Sequence, residues 1–176
     1  MTLFRSPVLR SIEQVAAAGT HLEIVNLVVP SLNDADGDLR EVVDRLAQVM
    51  TAGSVVLDTS TVSIETAREV SARLAAHGIP FLDGPVSGGK EGAEKATMVM
   101  MVGGDLSVLE QVMPVLQSIS RKVVHMGAVG SGQATKAVNQ IMCAGINQAV
   151  TEALAFGQHQ GLDMDKAVDV VSSGAA

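Results

Sequence analysis

A chain of 176 residues that is 47% hydrophobic, with a mean hydropathy of +0.33, holds enough apolar material for one full domain, or one domain and part of another. A formal charge of −7 and a pI near 4.9 argue against nucleic acid and anionic membrane as partners, and three Phe with no Trp or Tyr leave no stacking platform for single strands. The single Cys143 excludes an internal disulfide, no apolar run reaches membrane-spanning length, and the opening MTLFRSPVLRSIEQ lacks a signal-peptide core, so a cytoplasmic protein is expected.

HLEIVNLVVP (21–30) is a near-continuous apolar run, the pattern of a strand buried on both faces. In residues 31–53, Leu39, Val42, Val43, Leu46 and Val49 recur at helical spacing, and Gly53 ends the run. SVVLD (54–58) predicts a second strand. A helix over 62–78 follows, with Ser63 and Thr66 as candidate caps and Gly78 as its stop, then a strand at IPFLD (79–83). Alternation of this kind implies a mostly parallel sheet with right-handed crossovers. Segments that follow Pro30, Asp58 and Asp83 should then share the rim beyond the strands' carboxyl ends, where open α/β sheets bind ligands.

Beyond a glycine-rich stretch, 97–104 reads as a strand, 105–120 as a helix and 121–127 as a strand. From Ser131 to about Gln160 no proline interrupts a pattern of small and apolar residues, predicting a helix about 45 Å long. Residues 1–128 are thus expected to form an α/β, partial Rossmann-like domain. Residues 129–176 should supply a long interdomain helix and the beginning of an all-α domain.

Two stretches carry candidate chemistry. In PVSGG (85–89), backbone N–H groups of a glycine-rich turn can converge on an anion, with the Ser87 hydroxyl as a further donor. Read alone, this is also an ordinary tight turn. In GSGQATKAVNQ (130–140), Lys136, Asn139 and Gln140 stand at i, i+3 and i+4 and share one helical face. Lys136 is either a proton-exchanging group or a surface lysine. The four histidines show no metal-ligand spacing, the Asp34, Asp36, Asp38 run reads as a solvated helix cap, and Cys143 reads as a buried small hydrophobe.

Together, DTST (58–61), DGPVSGGKEGAEKATMVMMVGG (83–104) and GSGQATKAVNQ resemble, in order and spacing, the β-hydroxyacid dehydrogenase family, whose members include 3-hydroxyisobutyrate dehydrogenases and tartronate semialdehyde reductases. The resemblance covers nearly the whole chain. It implies NAD(P)-dependent interconversion of a small 3-hydroxy acid and its semialdehyde, of the 3-hydroxyisobutyrate or tartronate semialdehyde/glycerate class. It implies that Ser87, Gly88 and Gly89 hold the substrate carboxylate, that Lys136 is the catalytic acid/base, and that Asn139 and Gln140 orient substrate. Val29, Pro30, Ser60 and Thr61 match segments on the nicotinamide side of the cofactor. The KxxNQ form is the more similar to tartronate semialdehyde reductases.

Departures from the family pattern are specific. Ile64 stands where the family usually has proline, and Ala96 where it usually has glycine. No GxGxxG occurs, and the run 21–30 matches the family's fourth strand, so the chain reads as the middle of such an enzyme, truncated at both ends. NAD or NADP should then bind this chain weakly or not at all, because the pyrophosphate loses its helix N-terminus. An apolar face on the long helix suggests a homo-oligomer. A second expectation is a catalytically inactive binding or oligomerisation module.

Overall fold

The strand VVLD has no polar residue before its final aspartate, and all four of its residues are buried. A computed structural model describes residues 22–25, 40, 43, 44, 46–48, 50 and 53–174. Among the described residues, six strands form one mixed sheet: β1 (Leu22–Val25), β2 (Val55–Asp58), β3 (Phe81–Asp83), β4 (Val86–Ser87), β5 (Met98–Gly103) and β6 (Ser120–Gly127). Strands β1, β2 and β3 run parallel, with Val25, Asp58 and Asp83 level with one another. Strand β5 is antiparallel to β3 and β4 and parallel to β6. The fold is α/β and mostly parallel, as expected. Val29 and Pro30, expected on the same rim, and the aspartate run 34–38 lie outside the described residues.

Among the described residues, the helices with defined bounds are α1 (Ile64–Ala75), α2 (Gly89–Glu94), α3 (Leu106–Ile119), α4 (Ser131–His159) and α5 (Met164–Ser172), and residues 40, 43, 44 and 46–48 are also helical. On one face of the sheet, Val56 and Phe81 pack with Val43 and with Ala67, Val70 and Leu74 of α1. On the other, Val55, Leu57, Leu82, Met100 and Val102 pack with Leu109, Val112 and Leu116 of α3. Alternation along β2 divides its side chains between the two layers. Burial of each such Val, Leu or Met contributes about 1.5–3 kcal/mol. Ser63 caps α1 by accepting the Thr66 N–H at 3.0 Å, and Asp105 caps α3 through the Ser107 N–H at 2.7 Å. Arg73 bridges Glu69 on its own helix and Asp44.

The chain divides into two compact units between Lys136 and Ala137, within α4. In the second unit, Asp163 caps α5 through the Lys166 N–H. Ile141, Met142, Ile146 and Phe156 are exposed, Ile141 at 72%. Cys143 is exposed too, which corrects its reading as a buried hydrophobe: among the described residues no element covers that turn of α4. None of the described helices is long and apolar enough to cross a membrane.

Candidate functional site at the carboxyl ends of the strands

Two acids end neighbouring strands level with each other, and each organises the loop beyond it. Asp58 is fully buried, and its Oδ1 accepts the Ser60 N–H at 2.9 Å while Gly84 N–H donates to the Asp58 carbonyl at 2.7 Å. Asp58 Oδ2 and Thr59 Oγ1 are buried without a hydrogen-bond partner among the described residues. Burial pushes the Asp58 carboxyl above the usual carboxylate range; Ser60 opposes that shift and the charge of Asp83 adds to it.

Asp83, also fully buried, reaches across to the start of α4. Its Oδ1 accepts the Gly130 N–H at 2.7 Å and its Oδ2 the Gln133 N–H at 2.9 Å. Desolvation raises its pKa, and these backbone donors oppose the rise. A carboxylate here satisfies donors that the first turn of a helix cannot satisfy itself and meets the positive end of the helix dipole. So close an approach requires residues without side chains. A Cβ on Gly132 would lie 2.6 Å from the Asp83 carbonyl oxygen, and one on Gly103 would lie 2.8 Å from the Ala128 carbonyl oxygen.

Gln133 closes the arrangement. It is 2% exposed; its Nε2 donates to the Ser60 carbonyl at 2.8 Å and its Oε1 accepts the Val62 N–H at 3.2 Å. The loop after β2, the end of β3 and the first turn of α4 are therefore fastened into one hydrogen-bonded ring. Sequence reading missed Gln133 and the capping role of Asp83. A glutamine on a helix looks like any surface amide, and the partners of Asp83 lie about 50 residues further along the chain.

Of the predicted site residues that are described, Ser60 is a member of this ring. Ser60 is half-buried and Thr61 exposed, on the loop that Gln133 holds. Ser87 is half-buried in β4, opposite Val99. The PVSGG stretch is less of a turn than expected: Val86 and Ser87 pair with β5, Gly88 has φ 141°, open to glycine and strained for other residues, and α2 starts at Gly89. Lys136, half-buried, lies on α4 one turn beyond Gln133, about 4.5 Å along the helix axis. From Asp83 to Ser87 the backbone spans at most about 14 Å. Asp83 is thus the common anchor of the two segments that carry Ser87 and Lys136. Asn139 and Gln140 follow on α4, with Asn139 Nδ2 donating to Gln140 Oε1 at 3.1 Å.

Two family models match this chain, the NAD binding domain of 6-phosphogluconate dehydrogenase over residues 5–127 and the NAD-binding domain of NADP-dependent 3-hydroxyisobutyrate dehydrogenase over residues 130–176. The chain belongs to the β-hydroxyacid dehydrogenase family. Within that family, an uncharacterized oxidoreductase of Shewanella frigidimarina is 44% identical over 144 residues, covering 80% of this chain and 50% of the relative. A probable 3-hydroxyisobutyrate dehydrogenase of Mycobacterium tuberculosis is 42% identical over 119 residues, 68% of this chain and 40% of the relative. The solved structure of the M. tuberculosis 3-hydroxyisobutyrate dehydrogenase with L-serine superposes with a TM-score of 0.79 at 35% identity, covering 98% of this chain and 55% of that one. The chain spans about half the length of the curated relatives it matches.

Family membership implies NAD or NADP. Thr61 is exposed on the Ser60–Thr61 rim, although the Ser60 N–H and carbonyl are spent on Asp58 and Gln133. At α4, the first-turn donors are used up: Gly130 and Gln133 go to Asp83, and Ser131 N–H goes to the Ala128 carbonyl at 3.0 Å. That helix end therefore leaves none of these three N–H groups free for an anion.

Proposed function

We propose that this chain supplies the substrate-side and nicotinamide-side half of an NAD(P)-dependent dehydrogenase that interconverts a small 3-hydroxy acid and its semialdehyde. The observation that carries this reading is the fastening of the Lys136 helix, by Asp83 and Gln133, to the strand-end rim from which the Ser87 segment also leaves. A nicotinamide held beside Ser60 and Thr61 would supply the hydride acceptor or donor. In oxidation, the Lys136 amine accepts the hydroxyl proton as the carbon–hydrogen bond breaks; in reduction, its ammonium returns a proton to the carbonyl oxygen. The cation also stabilises alkoxide character on the way. The Ser87 hydroxyl and the backbone N–H groups of Gly88 and Gly89 hold the carboxylate without bulk, and Asn139 and Gln140 orient the rest of the substrate. Ser60 and Thr61, with Val29 and Pro30, border the nicotinamide.

The M. tuberculosis relative was solved with L-serine, itself a 3-hydroxy acid, which supports the substrate class. The KxxNQ form, with Gln140 as its last residue, favours the tartronate semialdehyde/glycerate branch. A cytoplasmic setting and self-association through α4 complete the proposal, the latter supported by Ile141 and Phe156 at 72% and 66% exposure.

The decisive experiment is Lys136→Ala in the intact protein. Loss of turnover with retained dinucleotide binding supports the reading; unchanged turnover defeats it. The same exposed apolar face of α4 favours one other reading, a module without catalysis that only associates. Turnover of a 3-hydroxy acid by the intact protein excludes that alternative. For the 176-residue chain alone, calorimetric titration is expected to give weak NAD binding or none, and micromolar binding would contradict that expectation.

A further inference from the structure

The reach of Lys136 depends on where the first turn of α4 sits, and two polar side chains decide that position. Asp83 holds the turn from the β3 side through the Gly130 and Gln133 N–H groups, at 2.7 and 2.9 Å. Gln133 holds it from the β2 side through both ends of its amide, to the Ser60 carbonyl and the Val62 N–H. The ring closes through Asp58, which accepts from Ser60 N–H and, at its carbonyl, from Gly84 N–H.

A buried amide satisfied at both ends has one orientation, and Gln133 is 2% exposed. Apolar packing alone would keep the helix near the sheet but not fix its rotation or its height. Two directional bonds from one side chain to a loop, with two more from a carboxylate on the neighbouring strand, fix both. Lys136 is three residues further along the same helix.

We propose that Gln133 is a positioning residue, whose two hydrogen bonds to the Ser60–Val62 loop set the distance between the Lys136 amine and the substrate hydroxyl held beside that loop. The proposal rests on the reading of Lys136 as the proton-transfer group. It assigns Gln133 no contact with substrate or cofactor: it joins the loop bordering the hydride acceptor to the helix bearing the proton acceptor. Loss of that link lets the two drift independently, and displacement of a reacting group by about 1 Å can cost on the order of 100-fold in rate.

The test uses the intact protein with Gln133→Met, which keeps length and apolar volume while removing both hydrogen bonds. Gln133→Glu serves as a second variant, retaining the acceptor toward the Val62 N–H and losing the donor to Ser60. Steady-state rates are measured in H₂O and D₂O. The expected result is a drop in kcat of about 10- to 100-fold for Gln133→Met, with a smaller drop for Gln133→Glu. KM for the hydroxy acid should change little, and the solvent isotope effect on kcat should rise as proton transfer becomes slower than its neighbours.

Unchanged kcat in both variants overturns the proposal. A lower kcat with an unchanged isotope effect also overturns it, because a merely structural loss reduces the amount of active enzyme without altering the step. Should Gln133→Met fail to accumulate as folded protein, Gln133→Glu alone decides by the same two criteria. Lys136→Ala, measured alongside, separates the two claims: if that variant turns over normally, the function fails, whereas a dead Lys136→Ala with an unaffected Gln133→Met refutes the positioning role alone.

Discussion

Asp83 Oδ2 accepts the backbone N–H of Gln133 at 2.9 Å, so a strand-end carboxylate is the cap of the helix that carries Lys136. Removing that carboxylate takes the acceptor from two N–H groups, those of Gly130 and Gln133, at a residue pair that is buried. A buried donor left unpaired costs about 1–3 kcal/mol. Asp83→Ala is therefore expected to destabilise the protein by about 2–4 kcal/mol, read as a fall in urea midpoint at unchanged slope. A loss under about 0.5 kcal/mol would mean that the cap is dispensable.

Much of the architecture was legible because strand and helix leave different periods in the sequence. The runs at 54–58, 79–83, 97–104 and 121–127 each contain or overlap an observed strand, and the unbroken stretch from Ser131 became α4. Levelness of Asp58 and Asp83 followed from the parallel β2–β3 pairing that the helix between them requires. Strand β4 and helix α2 were hidden, because glycines in SGGKEG erase both periods. The antiparallel direction of β5 was equally hidden, since it follows from the hairpin that β4 makes with β5. The hydrogen-bonded ring could not be read at all: its members, Ser60, Asp83 and Gln133, meet only after the chain has folded.

A small departure from the family pattern has a structural cost that can be measured. Helix α2 ends in a Schellman arrangement, in which Thr97 N–H donates to the Gly92 carbonyl at 2.8 Å and Ala96 N–H to the Ala93 carbonyl at 3.4 Å. Ala96 sits at the left-handed position with φ 54°, the one non-glycine with positive φ among the described residues. That conformation costs an L-residue about 1–2 kcal/mol, and glycine's extra backbone entropy offsets about 0.5–1 kcal/mol of the relief. Ala96→Gly is expected to stabilise the protein by about 0.5–1 kcal/mol, raising the thermal midpoint by a few degrees. A lower midpoint would refute the assignment of strain.

The buried acids give a pH dependence of unusual sign. Desolvation raises Asp58 and Asp83 in the folded protein, so between their unfolded and folded pKa values the native state binds more protons than the unfolded chain. Stability then falls as pH rises through that window and is flat above it. Glu69, held low by Arg40 and then Arg73, and Asp105, held low by Ser107, act oppositely: their contribution is present above the ordinary carboxylate pKa and lost on acidification. Asp58→Asn keeps an oxygen for the Ser60 N–H and removes the charge. Relative to the unsubstituted protein, it should gain stability as the pH rises above the ordinary aspartate pKa of about 4 in urea titrations. A variant that loses ground over that range would show that Asp58 is stabilising as an anion.

One substitution made twice on a single helix separates propensity from packing. Gly132 and Gly145 both lie in α4, where alanine is favoured over glycine by about 0.8–1 kcal/mol. Around Gly145 a new Cβ meets nothing within 4 Å, so Gly145→Ala should stabilise by nearly that full amount. Around Gly132 it would meet the Asp83 carbonyl oxygen at 2.6 Å, Asp83 Oδ2 at 2.8 Å and, closer still, the Met101 carbonyl oxygen. Two of those three atoms belong to backbone held in the sheet, so relief requires lifting the helix from the rim and lengthening the bonds to Gly130 and Gln133. Overpacking of this kind costs about 1–3 kcal/mol, and the weakened cap adds to it, so Gly132→Ala should lose about 2–4 kcal/mol despite its better propensity. Chemical unfolding of the two variants checks the contrast. If both move in the same direction, the close approach of α4 to the ends of β3 and β5 is not what holds this helix in place.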